Sequence, residues 1–124
     1  MSWLAVGIGA MLGAWLRWWL GLWLNTFHER FPIGTLAANL GGGYLIGIAV
    51  GFFAAHPDIP AAWRLFAVTG FLGGLTTFSS FSAESMVLLQ RGDFALAFGH
   101  AALHLIGSIA FCFAGFATYR AMAA

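Results

Sequence analysis

The chain has 124 residues, of which 61% are hydrophobic and 7% charged, with no lysine and a formal net charge of +1. A soluble domain carries about a quarter charged residues, so a chain with a mean hydropathy of +0.89 cannot cover itself in water. These values exclude a soluble globular domain, give no basic surface for nucleic acid, and predict one all-α integral membrane domain over residues 1–124.

A helix needs about 20 apolar residues to cross the hydrocarbon core of a bilayer. Four segments qualify, at about 2–24, 34–55, 61–89 and 94–119. The breaks between them, "NTFHERFP", "HPDIPAAWR" and "RGD", hold most of the charge and all three prolines. Trp3, Trp18, Trp19, Trp23 and Trp63 fall near the expected ends, as an interfacial aromatic belt does.

The first segment begins "MSWLAVGIGAMLGAW", without a basic n-region, and reads as a retained helix rather than a cleaved signal peptide. Gly9, Gly13 and Gly21 share an i, i+4 row with Arg17, which either snorkels to the headgroups or gathers anions at a pore mouth. On the second segment, Asn39, Gly43, Gly47 and Gly51 form a similar row. Rows of small residues let helices approach closely in lipid, either within a chain or between chains. Asn39 is an amide inside a span; its NH2 either donates to a polar pathway or joins helices.

The third segment contains "GGLTTFSSFSAES" at 73–85, with two adjacent glycines, six hydroxyls, two phenylalanines and a glutamate. The glycine pair predicts a break near the centre of this span, against the alternative of an unbroken tilted helix. Non-helical backbone at membrane depth is tolerated only inside protein or beside a water-filled cavity. Past the break, Thr77, Phe78, Phe81, Glu84 and Ser85 share a face by 3–4 spacing. Hydroxyls and ring edges, the electropositive rim of each phenyl, suit a narrow anion passage better than lipid. Glu84 lies toward the end of the span, where it is either interfacial or a coupling site.

The fourth segment carries His100, His104, Ser108 and Cys112 at i, i+4 spacing. Two histidines at this spacing can bind a metal, but zinc needs three or four ligands with ordered outer partners, and no nearby carboxylate completes the set. A donor-lined track or interhelical hydrogen bonds is the preferred reading. Cys112, the one cysteine, excludes an intrachain disulfide and sits between Phe111 and Phe113 as small apolar packing. Loop cations balance: Arg64 and Arg120 fall on the side of the N-terminus, Arg30 and Arg91 on the other. Without a charge bias the chain can insert both ways, which permits an antiparallel dimer. No phosphate loop, nucleophile–base set or carboxylate pair is present, so the chain is not expected to be an enzyme.

"GFLGGLTTFSSFSAE" (70–84), "GTLAANLGGGYLIG" (34–47) and "GAMLGAWLRWW" (9–19) together resemble the Fluc/CrcB family of fluoride channels, over almost the whole chain. The resemblance implies a dual-topology antiparallel homodimer in the bacterial inner (plasma) membrane, with two pores that pass fluoride by electrodiffusion and reject chloride. It implies pore roles for Phe78, Phe81 and Asn39, a polar lining of Thr77, Glu84 and Ser108, and Arg17 in the aqueous vestibule. Gly73 and Thr76 would give backbone carbonyls from both subunits to a structural sodium ion. Fluoride is strongly hydrated, so its water must be replaced by donors without full counter-charges that would hold it too tightly to conduct. His100 and His104 stand where the family often has a tyrosine and a hydroxyl residue, and they join the expected pore lining. A proton-coupled multidrug-type exporter and a non-transporting assembly subunit are the alternatives; the former depends on a glutamate in its first helix, where this chain has Arg17.

Overall fold

The structure is a computed structural model and describes residues 1–27 and 31–124. Arg30, one of the loop cations above, lies outside the described residues. Among the described residues, four helices are long and apolar enough to cross a membrane: Ser2–Leu24, Ile33–Ala55, Ala61–Gln90 and Phe94–Ala123. The fourth runs four residues beyond the expected 119, through Arg120. The five tryptophans assigned to the belt are all more than half exposed on the helix exteriors. The chain is a multi-pass membrane protein.

The first span (α1, Ser2–Leu24) packs along the third, and the second (α2, Ile33–Ala55) along the fourth. Gly9 lies against Phe66 and Gly70, and Gly13 against Phe71 and Leu75, so the first and third spans run parallel. Gly43 and Gly47 meet the backbone at Ser108 and Cys112 in the same sense. A Cβ on Gly13 or Gly47 would strike a backbone carbonyl oxygen, of Phe71 or Cys112 respectively, and backbone cannot swing aside as a side chain does. The glycine rows are therefore consumed by packing within the chain, which decides between the two readings the sequence left open. Ala38, Leu72 and Leu75 form the buried centre, where α2 meets the third span.

The connections have local causes. Asn25 Oδ1 accepts from the Gly34 amide at 2.7 Å and ties the end of α1 to the start of α2. His56 closes α2 just before Pro57. The turn between the third and fourth spans uses Gly92 at φ +78, with its amide on Leu89 O and that of Asp93 on Leu88 O. This paired pattern ends a helix with a left-handed residue, which glycine adopts without a Cβ penalty.

The third span consists of a short turn, α3 (Ala61–Arg64), a wide π-type stretch over Leu65–Leu72, α4 (Gly73–Leu75) and α5 (Phe78–Gln90). Between the last two, Thr76 (φ −86, ψ 156) and Thr77 (φ −152, ψ 126) are extended. The two glycines themselves remain helical, so the non-helical residues lie three positions after the pair expected to break the span. The fourth span is α6 (Phe94–Ala102), a second π-type stretch over Leu103–Gly107, and α7 (Ser108–Ala123).

Candidate functional site: a polar crevice beside Thr76 and Thr77

The extended pair is held by side chains. Asn39 Oδ1 accepts from the Thr77 amide at 2.7 Å, and Asn39 Nδ2 donates to the Thr77 carbonyl at 3.0 Å. Thr77 Oγ1 then caps α5 by accepting from the Ser80 amide at 3.1 Å. In a continuous helix the Thr77 and Ser80 amides would serve the carbonyls of Gly73 and Thr76, four residues earlier. Those two carbonyls have lost their helical donors to Asn39 and to Thr77 Oγ1. Between them, the Gly74 carbonyl accepts from Arg17 Nε at 3.0 Å. Arg17 is thus tied to the third span, whichever way the rest of its guanidinium faces.

The double contact with Thr77 also fixes which end of the Asn39 amide is which: reversed, it would set acceptor against acceptor and donor against donor. Its NH2 therefore faces His104 Nδ1 at 3.0 Å and donates to it. In the neutral ring the proton then sits on Nε2, a buried atom without a hydrogen-bond partner among the described residues. Both N–H groups of Asn39 are engaged, one on Thr77 and one on His104.

Phe78 and Phe81 follow on the first turns of α5. Phe78 is 79% exposed, and the two rings lie 5.5 Å apart at 49°. Phe81 stacks on His100 (5.2 Å, 18°) and tilts against His104 (4.8 Å). An open crevice of about 430 Å³ runs past Asn39, Thr76, Thr77, Phe78, Phe81, His104 and Ser108. Seven residues singled out from three different spans thus line one surface. His100 lies behind that wall, fully buried. Glu84 does reach this region: Thr35 Oγ1 donates to its Oε2 at 2.5 Å, and its Oε1 lies 3.5 Å from His100 Nε2. The carboxylate that the histidine pair lacks on its own span is thus supplied by folding, from Glu84 on the third span. Thr35 was missed, although it stands one turn before Asn39 on the same row and is buried among the packed faces.

A multi-pass helical protein with a polar, phenyl-edged crevice at an interruption in one span belongs to the class of membrane transport proteins rather than to that of soluble binding modules. The family pattern described as CrcB-like protein, Camphor Resistance (CrcB), matches residues 4–116, and the chain belongs to that family. It is 56% identical over 123 residues to a protein of Cupriavidus pinatubonensis named fluoride-specific ion channel FluC, covering 99% of this chain and 98% of that one. A protein of the same name from Tolumonas auensis is 58% identical over 117 residues, 94% and 92% of the two chains. One from Pseudomonas putida is 55% identical over 118 residues, 95% and 93% of the two chains.

Proposed function

We propose that the chain is a fluoride channel that lowers cytoplasmic fluoride by passive electrodiffusion, with no covalent step. The observation that carries this reading is the Asn39–Thr77 clamp beside Phe78 and Phe81, in a chain more than half identical to proteins named fluoride-specific ion channels. The exposed Phe78 meets the ion first and offers ring edges in place of water. Phe81, the Thr77 and Ser108 hydroxyls and the His104 ring continue the path, with Glu84 and His100 behind it. Asn39 acts in two ways: it holds the Thr77 backbone open, and it orients His104 so that the free ring N–H lies on Nε2. None of these groups is a fixed cation, so the ion can leave as readily as it enters.

A second copy closes the pore in this proposal. The crevice is open on one side, and the largely exposed Phe78 stands beside hydroxyls that hydrocarbon does not solvate. The balanced loop cations fit an antiparallel partner, which would give a dual-topology homodimer with two pores. A structural sodium ion fits the break, because carbonyl oxygens are hard ligands and those of Gly73 and Thr76 have lost their helical donors. Bound there, it would supply a fixed positive charge, and Gly73 and Thr76 of each copy would hold it.

The test is efflux from liposomes containing purified protein, read in parallel with fluoride and chloride electrodes. Rapid fluoride release without chloride, lost in Phe78→Ile and Phe81→Ile, is the expected result. Release that survives both substitutions would move the pore away from the crevice, and the absence of fluoride release would overturn the channel reading.

A further inference from the structure

His100 is fully buried in the span, and neither ring nitrogen makes a well-formed hydrogen bond among the described residues, although Nε2 faces Glu84 Oε1 at 3.5 Å and the Phe81 backbone lies close to the ring. His104 Nε2 and Glu84 Oε1 likewise make none among the described residues. Buried polar atoms are nearly always hydrogen-bonded, and a cluster of exceptions calls for an explanation. The exceptions converge: one potential ligand atom from each of Glu84, His100 and His104 lies within 4.8 Å of the other two.

We infer that Glu84, His100 and His104 form a binding site for a divalent transition-metal ion, of the zinc or cobalt kind, in the wall of the crevice, and that its occupation stops conduction. Two imidazoles and a carboxylate are the donor set such ions prefer. Tetrahedral ligation at about 2.0–2.1 Å places ligand atoms about 3.4 Å apart. The Glu84–His100 pair already stands at 3.5 Å, so the adjustment falls on the His104 ring. Glu84 is oriented for the task, since the Thr35 hydroxyl holds Oε2 and leaves Oε1 for the metal. His104 borders the crevice, which gives a route in, and three protein ligands leave a fourth position for water or an anion.

The inhibitory half follows from Asn39. A metal on His104 Nδ1 replaces the Asn39 donor. A metal on Nε2 drives the ring proton to Nδ1, where it faces the Asn39 NH2, donor against donor. Either way the Asn39–His104 bond breaks, and the wall of the pathway moves. One interhelical hydrogen bond is a small loss against two imidazole–metal bonds. The binding half stands without the fluoride reading; the inhibitory half rests on it.

The experiment titrates purified wild-type protein with Co2+ and follows its visible absorption and bound stoichiometry, then repeats this with Glu84→Gln, His100→Phe, His104→Ser and Thr35→Val. One Co2+ per chain with the intense bands of four-coordinate cobalt is expected. Affinity should fall about 10- to 100-fold in Thr35→Val, as for an outer-shell partner, and further in the ligand variants. His56→Ala, at an exposed loop histidine, should bind as wild type. Size-exclusion profiles show which variants are folded, and Thr35→Val keeps all three ligands should the others fail to fold. No binding, or binding that survives the ligand substitutions, overturns the site. Fluoride efflux in the same preparation, with Co2+ added and then chelated, should stop and return. Efflux undiminished at full occupancy overturns the inhibitory half. Metal-free protein without efflux counts against the channel reading and leaves the absorption result to judge the site.

Discussion

Replacing Asn39 by alanine tests the clamp that holds the third span open. The side chain makes three hydrogen bonds: one accepted from the Thr77 amide, one donated to the Thr77 carbonyl and one donated to His104. Interhelical hydrogen bonds in membrane proteins average about 0.6 kcal/mol each, so the three together contribute about 2 kcal/mol. A buried amide left without an acceptor costs about 1–3 kcal/mol, so the bond from Thr77 N–H dominates. Asn39→Ala should therefore cost about 2–3 kcal/mol. His104→Phe removes one bond and orphans no backbone group, and should cost about 0.6 kcal/mol on this count. Reversible unfolding in mixed micelles measures both, and the double variant should lie closer to Asn39→Ala than the sum, because the two share a bond. If Asn39→Ala costs no more than His104→Phe, the Thr77 amide does not depend on Asn39 and the account of the freed Gly73 carbonyl fails with it.

Other substitutions separate packing from the site. Gly47→Val should destabilise by about 1–3 kcal/mol or more through overpacking, because its Cβ meets backbone at Cys112 and Phe116. Gly7→Ala, with nothing within 4 Å of the new methyl, should stabilise by about 0.5–1 kcal/mol, the helical preference for alanine; both are read from unfolding midpoints. Thr77→Val removes the acceptor for the Ser80 amide and should cost about 1 kcal/mol, with Thr77→Ser restoring most of it. Exchanging sodium for a large organic cation should lower the melting temperature if the Gly73 and Thr76 carbonyls hold sodium, by about 2.7 kcal/mol of stability for an ion present at 100 times its dissociation constant. An unchanged midpoint would leave those carbonyls without an ion.

The spans and their order were legible because a bilayer imposes length and apolarity on any crossing segment, and the four runs satisfy it without competition from a soluble core. Their ends were nearly as clear, since arginines, prolines and tryptophans collect there. The partners of polar residues were not legible. Glu84 and His100 are 16 positions apart on different spans, and Thr35 to Glu84 is 49; no spacing rule connects residues across helices. Faces of one helix could be read, but which faces meet depends on where glycines let backbones touch, and those rows fitted two partners equally from sequence.

The interruption in the third span shows the same limit from the other side. The glycine pair looked like the cause of a break, since glycine weakens a helix by about 1 kcal/mol against alanine. Yet both glycines stay helical, and their missing Cβ atoms serve close approach: Gly74 lies against the backbone of Ala10 on the first span. What opens the helix is competition for amides. Thr76 satisfies the Leu72 carbonyl twice, through its own amide at 3.0 Å and its hydroxyl at 2.9 Å, and ends the turn there. Asn39 then takes the Thr77 amide at 2.7 Å, and Thr77 Oγ1 the Ser80 amide at 3.1 Å, so two of the amides released at the break find side-chain acceptors. A break fixed by these side-chain bonds stays in one register, whereas a break made by glycine flexibility would spread over several conformations. The threonine pair and a distant asparagine fix the backbone, and the glycines fix where the helix that carries it can sit.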